Sequence, residues 1–401
     1  MSMDLARWRP EFPTAEHCTY LVSHSLGAMP RRARQHLARF ADEWTERGVR
    51  AWAEGWWEIG RETGNLLAPT LGVAPDTISM HQNVSVAQAI IASCFAFDGP
   101  RRRIVISALD FPTNGYVFEA FRRYGAEVVV VPSDDPVRVD TGRFLDAIDD
   151  RTLLVPFSYV LFKSAHIQDA NAIVDRAHRA GAHAIADVYQ AAGTVPLRLA
   201  DLGVDFAVGG SVKWLCGGPG AGYLYVRPDL APALTPAVTG WAAHARPFLF
   251  EPAPMAYADA PERFQSGTPN VPALYAARAG YEIVAEVGVE AIRAHSLALT
   301  RRIIGHAQAH GYPLHTPTTD AERGGTVTLG VAAGDRVAPA LLARDVIVDY
   351  RPGAGIRMAP HFYTTSEDVD RALAVLDELV EQVAEEGRAD GRPAGFGVRP
   401  L

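Results

Sequence analysis

From about residue 103 onward, short β-branched runs alternate with segments of helical spacing. The runs read RRIVISAL, EVVVVPS, TLLVPFSYV, HAIADVY, FAVGGSV and GYLYV. Between them, NGYVFEAFRRYG, TGRFLDAID and QDANAIVDRAHRAG repeat apolar residues at helical intervals and end near Gly or Asp. This alternation predicts an α/β fold, a mostly parallel sheet sheathed by helices.

Upstream, PRRARQHLARFADEWTERG reads as a helix with a mixed polar face, long enough to connect elements or form an interface. Proline and glycine thicken between about residues 227 and 275, and the segment from LYAARAG to HAQAHG then reads as two long helices. GGTVTLGV, DVIVDYR and IRMAP, closed by a helix at SEDVDRALAVLDELVEQVAEE, predict a second, smaller α/β unit. The expected organisation is an N-terminal segment, 1–30, joining the small domain; a large domain, 31–275; the small domain, 276–385; and a tail, 386–401. The Gly- and Pro-rich GRADGRPAGFGVRPL of that tail is expected to fray. No repeat of 20 to 50 residues is visible, which sets solenoids and propellers aside.

Composition narrows the function classes. The 401 residues are 48% apolar and 21% charged, a packed chain rather than a disordered one. Net charge is −8, which offers nothing electrostatic to nucleic acid or an anionic membrane. Cys18, Cys94 and Cys216 are odd in number and lack CxxC spacing, so neither a disulfide framework nor a zinc ribbon is suggested. The first residues lack the apolar core of a signal peptide and no run of about 18 apolar residues occurs, so a soluble, cytoplasmic protein is expected.

Of 38 basic residues only Lys163 and Lys213 are lysine. A surface cation tolerates arginine, whereas only a lysine can become a neutral primary amine. Lys213 lies between an apolar strand and WLCGGPGAGYLYV, a poor place for a solvated charge; Lys163, in VLFKSAH, suits a surface or phosphate-facing cation. Ligands of open parallel sheets bind beyond the carboxyl ends of strands. Asp187 closes HAIAD there, and HQNVS, with Gln82, Asn83 and Ser85, precedes a helical pattern. A carboxylate, a lone amine and a helix N-terminus suit the ring nitrogen, aldehyde and phosphate of pyridoxal phosphate. Asp187 also suits a helix N-cap for YQAAG, and Gln82, Asn83 and Ser85 would cap a helix with or without a ligand. GGPGAG precedes a strand rather than a helix, which excludes an NAD loop, and the 13 histidines form no metal motif.

Landmarks in fixed order, YLVSHSLGAMP, EGWWEIG, DFPTNGY, DVYQAAGTVPL, GGSVKWLCGGPGAGYLYV, GWAAHARPFLFEP, RFQSGTPNVPALYAARAGYEIV and RMAPHFYTT, span almost the whole chain. The chain resembles kynureninase and its relatives in the class V aminotransferase group, pyridoxal phosphate enzymes of fold type I. The resemblance implies a large domain with a mostly parallel seven-stranded sheet and a smaller C-terminal α/β domain. It implies Lys213 as the lysine condensing with the cofactor aldehyde, Asp187 on the pyridine nitrogen and Phe111 stacked on the ring. Gln82, Asn83 and Ser211 would hold the phosphate from one subunit, with Trp241 and Thr268 reaching it from the other, so that the active site is shared in a homodimer. Asn114, Ser158 and Gln190 occupy further cofactor positions. Arg357 would take the substrate carboxylate, with His24, Ser25 and His244, and also Trp56 and Tyr159, on the substrate side.

Four positions depart from the kynureninase pattern. Val212 replaces a tyrosine before the lysine, Gln190 a histidine, Asn114 the acid of an FPTD-type motif, and His24 the asparagine of an NSLG motif. Loss of the tyrosine hydroxyl should hurt hydrolytic carbon–carbon cleavage more than elimination of a thiolate from Cβ. The expected function is therefore kynureninase-like chemistry at Cα and Cβ of an amino acid, with a cysteine S-conjugate as substrate. In this the chain is similar to the pyridoxal enzymes of lincosamide antibiotic pathways, some of which eliminate a thiol and others couple decarboxylation to oxidative deamination. The alternative is a genuine kynureninase. A transaminase, a cysteine desulfurase with a mobile catalytic cysteine, and a non-catalytic binding protein are the remaining readings.

Overall fold

A computed structural model describes residues 5–389. Its large unit is built on seven strands: β1 (Ile78–His81), β2 (Arg103–Ser107), β3 (Glu127–Val131), β4 (Thr152–Ser158), β5 (His183–Asp187), β6 (Phe206–Gly210) and β7 (Gly222–Val226). Their spatial order is β1-β7-β6-β5-β4-β2-β3. Only β7 runs against its neighbours. Six strands fall on the expected apolar runs; β1, the short ISMH segment, is one that hydrophobic runs did not reveal.

The period of two sorts the side chains of each strand between two cores. Ile104, Ile106, Leu154, Ile185, Phe206, Val208 and Leu224 face one side, against helices Val84–Ser93 and Pro112–Ala120. Val105, Val155, Phe157, Ala184, Ala186, Ala207 and Tyr223 face the other, with helices Ile59–Leu71, Ala170–Ala180 and Val271–Val287. With both faces covered, the polar residues at the strand ends are the ones left to line a site.

The smaller unit has an antiparallel sheet, Asp349–Arg351, Gly355–Met358 and Val327–Leu329 in that order, and a two-stranded parallel pair, Thr19–Tyr20 with Val346–Ile347. Helices Val289–His310, Gly334–Leu342 and Ser366–Ala389 cover it. The change of core comes later than residue 275: Leu274, Tyr281, Val284 and Ile292 pack with the large unit, Leu299 and Ile303 with the small one. The N-terminal segment serves both, since Leu21 belongs to the small core while Phe12 and Ala28 belong to the large one. The closing helix reaches Ala389, past the expected start of the tail, and residues 390–401 lie outside the described residues.

Three glycines from distant segments press on the backbone after Lys213. A Cβ on Gly27 would meet the Lys213 carbonyl oxygen at 2.1 Å, on Gly193 the Trp214 carbonyl at 2.8 Å, and on Gly280 the Leu215 carbonyl at 2.1 Å. Gly280→Ala should therefore destabilise the fold by about 1–3 kcal/mol, as overpacking against backbone does. Gly305→Ala, in an open part of helix Val289–His310, should stabilise by about 0.5–1 kcal/mol. Urea unfolding of both variants checks this, and equal shifts of the same sign would show that the close approach has no energetic weight.

Candidate active site

The carboxyl ends of β4, β5 and β6 and the start of helix Val84–Ser93 surround a cavity of about 210 Å³. Asn83, Ser85, Phe111, Ser158, Asp187, Gln190 and Lys213 line it together. Asp187 ends a strand buried on both faces, and its Oδ1 accepts the Tyr189 N–H at 3.0 Å. That contact closes a turn rather than capping a helix, since no helix follows. Gly209 and Gly210 end β6 where a Cβ would strike the rings of Tyr223 and Tyr189. The Tyr189 ring can therefore lie with its centroid 4.3 Å from Lys213 Nζ, while the Phe111 ring lies 5.5 Å from the same nitrogen.

Desolvation lowers the Lys213 pKa to about 8, against the opposing pull of Asp187, with Arg357 and Arg351 adding to the depression. Burial raises the Asp187 carboxyl above its ordinary range although the Tyr189 N–H and Lys213 favour its ionised form. The amine is thus readily made neutral, and the carboxylate is one that gains from a cationic partner. At the cavity's edge the Asn83 side chain caps helix Val84–Ser93 by accepting the Val86 N–H at 3.0 Å. Gly222 lets β7 pass close, for a Cβ there would lie 2.8 Å from Asn83 Cα. The first-turn N–H groups beyond Asn83 form an anion-binding terminus.

Arg357 does not stand alone. Its Nε donates to Asp349 Oδ1 at 2.7 Å, its Nη2 to Asp349 Oδ2 at 2.5 Å, and its Nη1 to the Phe162 carbonyl at 2.6 Å. Asp349 faces Arg357 directly across the small antiparallel sheet, a pairing that favours opposite charges. His24, buried, brings Nε2 to 3.1 Å from Asp349 Oδ1, and its Nδ1 has no partner. Desolvation holds the His24 pKa at about 4, so the ring is neutral at ordinary pH. Burial opposes ionisation of Asp349, but His24 and Arg357 outweigh it and hold this carboxyl far below the usual range. A guanidinium has five N–H donors; three are used, leaving one on each terminal nitrogen.

Residues 44–372 match the aminotransferase class-V family. The chain belongs to that family. It is 30% identical to a kynureninase of Bacillus cereus over 394 residues, covering 94% of this chain and 92% of that one. It is 31% identical to a kynureninase of Pseudomonas fluorescens over 401 residues, covering 94% and 93%. Its fold is that of the apo cysteine desulfurase of Thermococcus onnurineus NA1, with a TM-score of 0.83 at 20% identity over 94% of this chain and 98% of that one. Membership makes it a pyridoxal phosphate enzyme.

The cavity of this class-V enzyme fits that cofactor on its own chemistry. Lys213 offers the amine, Asp187 a buried carboxylate for the ring nitrogen, Phe111 and Tyr189 aromatic faces, and helix Val84–Ser93 an anion-binding end. Other expected residues are committed elsewhere. Gln190 lines the cavity, yet its Nε2 donates to the His24 carbonyl at 3.0 Å and its Oε1 accepts the Trp214 Nε1–H at 3.0 Å. The Ser211 hydroxyl is held by Ala221 O and Tyr281 OH, each at 2.5 Å, and Asn114 accepts from Gln88. Ser25 lies half-buried beside His24. Tyr159 donates its N–H to the Asp187 carbonyl at 2.8 Å.

Gln82, Thr268 and His244 are not brought to Lys213; they line a second cavity of about 320 Å³. Trp241 is exposed and lies 5.1 Å, ring to ring, from Trp57 beside that cavity. Trp56 belongs to the core, stacked on Phe40 at 5.2 Å. Lys163, half-buried, lies with Nζ 5.7 Å from the Phe162 ring centroid and is absent from both cavity linings. Sequence reasoning missed Asp349, Phe162 and Tyr189. Asp349 carried a signal, an acid inside the apolar run DVIVDYR, whereas Tyr189 and Phe162 are indistinguishable from core residues until the chain is folded.

Because the neutral amine is the nucleophile, capture of pyridoxal phosphate by the apoprotein should accelerate as pH rises through about 8 and level off above it. Lys213→Ala should abolish the visible absorption band that capture produces. Stopped-flow absorbance from pH 6.5 to 10 checks both; a rate still climbing near 10.5, the unperturbed lysine value, would show that Lys213 is not desolvated.

Proposed function

We propose that this class-V enzyme cleaves the Cβ–S bond of a cysteine S-conjugate by β-elimination, acting as a cytoplasmic homodimer. The observation that carries the reading is a dehydrated amine and a buried carboxylate facing one cavity whose lining holds no other carboxylate and no imidazole. Where kynureninases carry a tyrosine, a histidine and an acid, this chain has Val212, Gln190 and Asn114, and the last two are hydrogen-bonded within the protein. Hydrolytic cleavage at Cγ calls for activated water, whereas elimination needs only a base at Cα and a thiolate able to leave.

Bound pyridoxal phosphate supplies a sink for the electron pair released when the Cα–H bond breaks. Asp187 holds a proton on the pyridine nitrogen, and Lys213 Nζ takes the Cα proton as general base. The two N–H groups left on the terminal nitrogens of Arg357 receive the substrate carboxylate, with Asp349 holding the guanidinium plane. The Cβ–S bond then breaks, the thiolate leaves and is protonated, and the released 2-aminoacrylate hydrolyses to pyruvate and ammonium. Persulfide chemistry on a cysteine is not favoured: burial pushes the Cys94 and Cys216 thiols up to about 12, and burial also raises Cys18.

The dimer is supported by the placement of Trp241 and Thr268 away from Lys213 in their own chain. Exposed Trp241, Phe248, Leu249 and Phe250 form an apolar patch beside the second cavity. One subunit's patch covering the other's cavity would remove this surface from water. Kynurenine hydrolysis is the second reading, favoured by identity of 30% and 31% to two kynureninases.

Product analysis of the holoenzyme with an S-substituted cysteine and, separately, L-kynurenine tests the proposal. Thiol, pyruvate and ammonium from the first are expected. Anthranilate and alanine from the second alone would replace it with the kynureninase reading, and an oxidised, decarboxylated thioether would replace elimination with oxidative deamination. Arg357→Ala should raise KM about ten- to two-hundredfold, corresponding to about 1.5–3 kcal/mol for a charge-assisted hydrogen bond. An unchanged KM would remove Arg357 from substrate binding.

A further inference from the structure

Asp377, on the closing helix Ser366–Ala389, faces two histidines of helix Val289–His310. His306 and His310 are four residues apart, so their imidazoles share one helical face. The rings stack with centroids 3.9 Å apart and 17° between planes. His306 Nε2 lies 3.1 Å from Asp377 Oδ1, and His310 Nε2 lies 3.7 Å from Asp377 Oδ2. One donor atom from each residue falls within 4.8 Å of the others.

The hydrogen bonds around this cluster favour a cation at its centre. His310 Nδ1 lies 2.9 Å from the His306 carbonyl oxygen, which can only accept, so Nδ1 carries the hydrogen. In the neutral ring Nε2 then presents a lone pair toward the carboxylate, an arrangement that a positive charge between them would relieve. The Tyr312 hydroxyl donates to Asp377 Oδ1 at 2.8 Å and orients the carboxylate, as groups around a metal ligand commonly do. No arginine or lysine pairs with Asp377 among the described residues. The contrast is Asp205, which also has two histidines nearby but is neutralised by Arg227 at 3.1 Å and accepts the Ala184 N–H at 2.7 Å.

We infer that His306, His310 and Asp377 bind a divalent first-row transition-metal ion of the zinc class, which clips helix Val289–His310 to helix Ser366–Ala389. Two imidazoles and one carboxylate suit zinc, with a fourth position left to water. Metal–ligand bonds of about 2.0–2.2 Å place tetrahedral donors roughly 3.3–3.6 Å apart. His306 Nε2 and His310 Nε2, at 3.1 and 3.7 Å from the two Asp377 oxygens, already lie close to that spacing. None of the three residues lines either cavity, so the site is independent of the catalytic one.

The test is titration of chelator-treated, dialysed holoenzyme with zinc chloride, followed by calorimetry and thermal unfolding. One equivalent should bind and raise Tm. His310→Ala, which removes an exposed ring, should weaken that binding at least tenfold and abolish the rise in Tm while leaving elimination activity unchanged. Asp377→Asn should weaken binding similarly. The inference is overturned by zinc binding that His310→Ala leaves intact, by no binding to the unaltered protein, or by magnesium binding equally well.

Discussion

The backbone that follows Lys213 is clamped from three directions, and the rest of the site depends on that clamp. Gly27, Gly193 and Gly280 come from the N-terminal segment, the turn after β5 and a helix of the large core, and each touches the 213–216 backbone where a methyl group would collide. Three separate parts of the chain must be in place before the lysine is aimed. Burial of the side chain keeps water from the ammonium, and dehydration is the largest cause of its lowered pKa.

A second constraint joins the units electrostatically. Asp349 on the small sheet holds Arg357, and Arg357 reaches the Phe162 carbonyl in the loop after β4. His24, from the N-terminal segment, completes the cluster. Burial of an arginine is tolerable only with its charge matched and its donors occupied. The matching leaves the two donors that a carboxylate could still take, so the arginine is oriented without being exhausted.

The large fold was legible because its strands are covered on both faces and read as unbroken apolar runs. β1 escaped because ISMH is short and mixes polar residues into a buried strand, where Ser79 and His81 satisfy each other at 2.8 Å. The domain change was placed too early because helix Val271–Val287 and its successor have similar periodicity. Only the partners of Leu274 and Leu299 separate them. Lys213 and Asp187 could be singled out because a lone amine and an acid stand at strand ends, and folding brings both to one cavity. Gln82 was named from its place before a helix and Thr268 from the resemblance alone, and in one chain both lie at a different cavity.

The α/β alternation, the isolated lysine, the acid closing β5 and the helix start after β1 are local properties of residue type and spacing, and so are readable in the chain without its fold. Tertiary structure alone decided what those residues touch. It set Asp349 against Arg357, the Tyr189 ring beside the amine, and Gln190 between His24 and Trp214. These contacts join residues far apart in the chain, and the charge and hydrogen-bonding state of each group follows from neighbours that no spacing rule encodes.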